Sequence, residues 1–479
     1  MLFNSVSFLL FFPAVCVLYY AIPAEHVRVR NALLLAASYY FYMNWEPVYA
    51  LLLLGCTLAT WSAALGMSRS EASSSRGRHV RRCWLAGAVA SNLAILFLFK
   101  YYNFLSTSLT DALSVVGMSP QFPRFQLLLP VGISFYVFQA VGYIVDVYRG
   151  TVRAERDLLT YSLFVSFFPQ LVAGPIERSQ RLLPQFLERH YAHYGQVLSG
   201  LRMMAWGYFM KLVVADRCGL YVDAVYNNLP MHSGGDCLLA VLLFPFQIYG
   251  DFAGYSLIAI GTARVLGFRL MDNFHSPYLS ASVGEFWHRW HISLSTWFRD
   301  YVYIPLGGNR RGPLRQMVNL LVTFAVSGLW HGADWTFLCW GTYHGLLLCA
   351  EKRLGVVSGR QSPSSRLPHI AFTFVLVSLG WVLFRSASFQ DALTVYRLLF
   401  TSLSVPDLSF AMFTEVCTSL AAVAVLMGYE CSGHSSFRCR PRSSPALCRA
   451  LHLSLMVALG GVVLLFGVLG GDQFIYFQF

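Results

Sequence analysis

Apolar positions run along this chain in long unbroken blocks and do not alternate with polar ones. Ser5 to Ala21, Asn31 to Tyr42, Pro47 to Leu65, Trp84 to Tyr102 and Leu127 to Val147 open the series. Leu158 to Ala173, Met203 to Val222, Cys237 to Leu266, Met317 to Trp330 and Trp335 to Ala350 continue it. Ile370 to Phe384, Phe410 to Tyr429 and Leu451 to Leu469 close it. A helix needs roughly 20 apolar residues to cross a bilayer. An outer-membrane barrel would show alternating strands of ~10 residues instead. The blocks therefore predict an all-α polytopic membrane protein with about 11 transmembrane helices plus re-entrant segments. The first block lacks a basic residue before it and a small-residue cleavage site after it, so it reads as a retained span and not a signal peptide.

The polar positions between the blocks give an orientation. Arg69, Arg76, Arg78, Arg81 and Arg82 crowd one short loop, which places that loop in the cytoplasm by the positive-inside rule. Counting back three spans puts the N-terminus outside. Asn103 to Phe125 carries few basic residues and reads as an outside loop. Leu158 to Ala173 has basic residues on both flanks (Arg149, Arg153 and Arg156 before it, Arg178, Arg181 and Arg189 after it). It is expected to dip into the membrane and return, with Gly174-Pro175 ending its helix. Met317 to Trp330 and Trp335 to Ala350 also have basic flanks and form a hairpin. Its turn, Trp330-His331-Gly332-Ala333-Asp334, then lies deep in the bilayer or near the far face, since the first helix is roughly 20 Å long. Arg438, Arg440, Arg442 and Arg449 orient the last span outward, and Phe474 to Phe479 form an aromatic tail at the outer interface.

No soluble domain large enough to fold alone is expected. Charged residues make up 12% of the 479 positions, about half the usual share. The net charge of +12 sits in short inter-span loops, so it argues for topology and not for nucleic acid. The eleven cysteines are scattered, mostly inside apolar blocks, where thiols act as small hydrophobes. Cys431, His434, Cys439 and Cys448 are irregularly spaced, and His288 and His291 have no third ligand beside them, so no metal is expected. Lys211, Asp216 and Arg217 interrupt an apolar block; either they face the protein interior or water, where such charges often mark function, or, on the plainer reading, the last two lie near an interface and Lys211 snorkels.

Chemistry concentrates between Phe286 and His331. His331 is a candidate general base, because histidine titrates nearest neutral pH. Trp330 and Gly332 beside it supply an apolar wall and backbone room. His291, forty residues earlier, would bind or orient one reactant. Ser293, Arg299 and Asp300 follow it, Trp290 precedes it, and Asp251 lies on a helix that also carries Gln247, Tyr249 and Tyr255. Acyl transfer to a hydroxyl needs a base for the alcohol proton and a donor for the oxyanion. No phosphate loop, zinc-binding HExxH helix or GxSxG elbow competes.

Phe286-Trp287, Arg289-Trp290-His291-Ile292-Ser293-Leu294-Ser295-Thr296-Trp297-Phe298-Arg299-Asp300-Tyr301, Tyr303 to Arg310 and Gly328-Leu329-Trp330-His331-Gly332-Ala333 resemble the membrane-bound O-acyltransferase family. Among its branches they are most similar to the bacterial alginate O-acetyltransferase type. Pro130 to Phe135, Phe168 to Leu171, Gly174 to Ile176 and Asp251 to Ser256 extend the resemblance over nearly the whole chain, weakening after Arg385. His288 departs from the family pattern. The resemblance implies a single acyltransferase domain over 1–479, with the active site in a core at 127–350, C-terminal helices at 370–479 and a central channel. It implies that His331 and His291 are catalytic. Trp330, Trp290, Ser293, Arg299, Asp300 and Asp251 are the candidate residues of a substrate or donor channel. No bound cofactor is implied; acetyl-CoA would be the co-substrate. The acetyl group would cross a bacterial cytoplasmic (inner) membrane, pass to a periplasmic or extracellular acetyltransferase and reach a polysaccharide such as alginate. D-alanyl transfer to teichoic acid from a carrier protein, or a non-catalytic export transporter or scaffold, are the alternatives. The expected surroundings are membrane lipids, without nucleic acid.

Overall fold

The computed structural model describes residues 1–468, apart from 72, 119, 121, 126, 173, 357–362, 407 and 433–444. His434, Cys439, three of the loop arginines (Arg438, Arg440 and Arg442) and the aromatic tail from Phe474 lie outside the described residues. Every regular element among the described residues is helical. Among the described residues, six helices are long and apolar enough to cross a membrane: Pro47–Ser68, Ser75–Ser114, Tyr194–Tyr226, Gly234–Val265, Arg366–Arg385 and Phe410–Cys431. Val6–Ala21, Leu158–Leu171 and Met456–Phe466 are apolar but shorter.

Several boundaries differ from the apolar blocks for local reasons. Tyr102–Ser114 is helical, where a loop was expected. It continues Ser75–Leu96 through a π-helical segment at Phe97–Tyr101. The block from Leu127 yields helix only over Ile133–Arg149, after a left-handed Gly132. Phe389–Thr401 is an additional helix. It is amphipathic and not wholly apolar, with Ala392, Val395 and Leu399 on its buried face, so it escaped a search for apolar blocks.

The chain divides into two compact units, Met1–Leu201 with Ala259–Met271, and Arg202–Ile258 with Asp272–Phe479. In the first, the expected dipping segment breaks at Phe167 into Leu158–Ser166 and Phe168–Leu171. Pro169 explains the break, since its ring would strike the carbonyl four residues back if the helix continued. The released groups find other partners. The Phe168 amide donates to Ser38 Oγ at 3.0 Å, and Gln139 and Gln170 both donate to the Phe164 carbonyl at 2.7 Å. Irregular backbone is thus buried with its hydrogen bonds made, as an apolar setting requires.

In the second unit a glycine seam sets the spacing of two helices. A Cβ on Gly254 would lie 2.7 Å from the Gly207 carbonyl oxygen, and one on Gly250 would lie 2.7 Å from that of Met210. Small residues four apart permit such close backbone approach. The approach brings Asp251 against Lys211, which sits in a π-helical segment at Phe209–Ala215. Lys211 Nζ is 2.7 Å from both Asp216 and Asp251, and its side chain is 2% exposed. Of the two readings of Lys211, the interior one holds and snorkelling does not, because carboxylates from two helical segments meet it inside the protein. Arg217 pairs with Glu415 at 2.6 Å.

The hairpin is present as Pro313–His331 and Trp335–Arg353. Asp334 caps the second helix by accepting from the Thr336 amide at 2.8 Å. The first helix has 19 residues and is roughly 28 Å long, longer than the apolar block suggested. Its last residue is His331, so this histidine ends a helix and does not sit in the turn.

Candidate active site

His291 has a left-handed backbone, φ 43° and ψ 54°, immediately before the helix Ile292–Phe298. Such a conformation costs roughly 1–2 kcal/mol for a residue with a Cβ and persists only where the surroundings enforce it. Asn273 enforces it. Its carbonyl oxygen accepts from the Ile292 amide at 2.9 Å. Its side-chain Oδ1 accepts from the Ser293 hydroxyl at 2.9 Å and the Ser293 amide at 3.3 Å, and lies 3.0 Å from His291 Nδ1. Asn273 Nδ2 donates to Ser256 Oγ at 3.2 Å, which leaves Oδ1 facing the imidazole. Nδ1 of His291 therefore carries the proton and Nε2 carries the lone pair. His291 lies outside the six long apolar spans; burial pushes its pKa down to about 3, so the ring is neutral at ordinary pH.

His331 is 2% exposed and stands in an aromatic enclosure. Its ring centroid lies 4.8 Å from Trp330, 4.9 Å from Trp340 and 5.6 Å from Phe384, each at a steep interplanar angle. The two histidine rings are 6.4 Å apart, and Trp330 lies 6.0 Å from His291. Residues forty positions apart thus share one buried locus.

The other expected residues divide. Trp330 and Ser293 belong to the locus directly. Trp290 is fully buried one layer out, with its ring 5.0 Å from Phe274 and 5.1 Å from Trp381. Asp251 is engaged with Lys211, although its neighbour Phe252 packs 4.6 Å from His291. Arg299 and Asp300 are not brought in. They pair with each other at 2.8 Å, with side chains 60% and 32% exposed, because the π-helical segment Arg299–Tyr303 turns them to the surface. His288 is exposed, with Nδ1 2.6 Å from the Gly284 carbonyl oxygen.

Three contributors escaped the sequence reading. Asn273 left no signal, being one polar residue in a loop. Trp340 is buried, stacks on Trp381 at 5.5 Å, and its indole N–H has no hydrogen-bond partner among the described residues. His344 is fully buried and lies 5.3 Å from Trp340; its Nδ1 accepts from Trp287 Nε1 at 3.3 Å. A histidine inside the apolar block Trp335 to Ala350 was a visible signal for it.

The model of the membrane-bound O-acyltransferase family matches residues 152–389, a span that contains both histidines. A probable alginate O-acetylase of Pseudomonas putida is 38% identical over the full length of both chains. The chain belongs to the membrane-bound O-acyltransferase family. It is an acyltransferase and a membrane protein. A peptidoglycan O-acetyltransferase of Helicobacter pylori is 32% identical, over 83% of this chain and 79% of its own. A teichoic acid D-alanyltransferase of Bacillus subtilis is 27% identical, over 64% of this chain and 78% of its own.

Asn273 gives this family site a direct test. Asn273→Ala is expected to lower kcat about 10–100-fold, taking the range known for outer-shell groups that orient metal-bound histidines. Ser293→Ala, which removes one of several bonds to Oδ1, should cost less than tenfold. Steady-state acyl transfer by the purified chain in vesicles measures both.

Proposed function

We propose that the chain is an O-acetyltransferase of a bacterial cytoplasmic membrane that takes acetyl groups from acetyl-CoA on the cytoplasmic side and delivers them for O-acetylation of an extracytoplasmic polysaccharide. The observation that carries the reading is the pair of buried imidazoles with rings 6.4 Å apart, His291 and His331. His331 is the general base that takes the proton of the attacking hydroxyl. His291 presents a lone pair at Nε2, so it accepts a hydrogen bond and orients a hydroxyl or thiol; the oxyanion needs a different partner. The indole N–H of Trp340, without a partner among the described residues and on a ring 4.9 Å from His331, is the donor for it. The aromatic enclosure keeps water from competing as acceptor.

The relatives support the acetyl group over D-alanine. Alignment with the alginate O-acetylase runs the whole length, whereas that with the D-alanyltransferase covers 64% of the chain at lower identity. The final acceptor, alginate or another envelope polysaccharide, is reached through a separate periplasmic or extracellular acetyltransferase. Mass analysis of ester-linked groups on purified envelope polysaccharides, with and without the gene, tests the assignment. Loss of acetyl is the expected result. Loss of D-alanine from teichoic acid would establish the alternative, and no change in either would sink both.

A further inference from the structure

A cavity of about 560 Å³ lies within the first unit, at the ends of three helices that pack on one another. Ala50–Ser68 and Ile133–Arg149 finish there, and Ser75–Leu96 starts there. Met67, Val147 and Val152 line it with apolar side chains, and Arg81, Arg153 and Arg156 add three positive charges. No acidic residue among the described ones lines it. Glu155 stands between two of the arginines in sequence, but its carboxylate accepts from the Asp157 amide at 2.9 Å. Arg81 fixes one wall. It donates to the Tyr148 carbonyl at 2.8 Å and lies 5.7 Å from the Tyr148 ring. It thereby ties its own helix to the last turn of another, whose carbonyls lack partners within that helix. Gly150 ends that helix with a left-handed φ of 76° and starts the turn into the segment carrying Arg153 and Arg156. Both of these arginines are exposed, and neither side chain has a partner among the described residues.

We infer that this cavity binds the headgroup of an anionic phospholipid, with the arginines on its phosphate and its acyl chains along Ser75–Ser114. The inference is independent of the acyl donor and acceptor proposed above. Arginine forks match phosphate oxygens, and basic pockets between membrane helices are recurrent headgroup sites. The setting favours a lipid over a soluble anion. Pro47–Ser68 and Ser75–Ser114 are both apolar enough to cross a membrane, so a cavity at their shared end lies where hydrocarbon gives way to headgroups. Trp84, one turn further into the span than Arg81, packs over Gly66 and is 42% exposed. Tryptophan is enriched at that boundary. The apolar stretch of Ser75–Ser114 is only 17% buried, which leaves a face of this helix to acyl chains directly below the arginines.

The test uses the full chain purified in detergent, with phosphatidylglycerol and phosphatidylcholine as probes and native mass spectrometry as the readout of bound lipid. Wild type is expected to bind phosphatidylglycerol at least about tenfold more tightly, the scale of two to three basic side chains near an anionic headgroup. Arg153→Ala with Arg156→Ala should remove most of that preference. Arg153→Lys with Arg156→Lys, which keeps the charge, should retain part of it. Arg76→Ala with Arg82→Ala, on the same helix as Arg81 but outside the lining, should leave it nearly unchanged. Equal binding of the two lipids by wild type would overturn the site. An equal loss in both alanine pairs would reduce it to diffuse attraction by a basic face and overturn it as well. Phosphate is shared with soluble anions, so glycerol 1-phosphate is titrated in parallel. If it bound as tightly as the lipid, with the same dependence on Arg153 and Arg156, the site would belong to a soluble phosphate and the headgroup would be refuted. Both side chains are exposed, so truncation leaves the core intact; thermal unfolding checks this.

Discussion

Acyl transfer by His331→Ala is expected to fall about 10²–10⁴-fold, the contribution typical of a positioned general base. The loss should appear in kcat, because an alanine removes proton transfer without altering how a donor nucleotide is held. The variant also opens a void beside Trp330, Trp340 and Phe384, so its thermal unfolding in detergent must be measured alongside. His331→Gln fills more of the space without restoring a base and should be as inactive. Trp340→Phe separates the second role. It keeps an aromatic ring against His331 but removes the indole N–H, and a fall of about 10²–10³ in kcat is the scale for losing one oxyanion donor. Full activity in Trp340→Phe would remove Trp340 from the chemistry while leaving His331 as base. Full activity in His331→Ala would sink the histidine assignment altogether.

The sequence made the helical membrane architecture legible because unbroken apolar blocks have one physical solution in lipid. It also showed His291 and His331, since a histidine in an apolar setting is costly unless it has a role. That both belong to one centre was expected from the sequence; the geometry that joins them was not legible. It depends on a helix ending at His331 and on the loop from Asn273 holding His291 in a left-handed conformation. Neither Asn273 nor its three bonds through Oδ1 has a periodicity. Arg299 and Asp300 misled for the complementary reason. They follow the family motif in sequence, but a π-helical segment changes the direction in which side chains leave the backbone, and the pair ends at the surface. The same kind of segment at Phe209–Ala215 hid the partners of Lys211, because an extra residue in the turn moves a charge off the face that a regular helix would give it.

That buried charge yields the other large expected effect. Lys211 holds two carboxylates, those of Asp216 and Asp251, each at 2.7 Å in a setting where all three side chains are at most 7% exposed. Lys211→Met keeps the length of the side chain but leaves two negative charges buried together. Breaking a buried ion pair from one side costs about 3–5 kcal/mol, enough to take a large part of the stability of a typical protein. Removing all the charge is a different matter. Lys211→Met combined with Asp216→Asn and Asp251→Asn should recover much of the loss, because neutral groups escape the desolvation cost that the isolated carboxylates bear. Unfolding measured in detergent distinguishes the two cases. A single variant within about 1 kcal/mol of wild type would behave like an exposed pair, and would show that water reaches the cluster. Activity is expected to follow stability here. The Gly250 to Gly254 turn that presents Asp251 also carries Phe252 against His291 at 4.6 Å, so a helix shifted by unpaired charge displaces one wall of the histidine site. The triple variant should therefore regain kcat as it regains stability. If it regained stability while kcat stayed low, the ions themselves would have a part in transfer that packing does not provide.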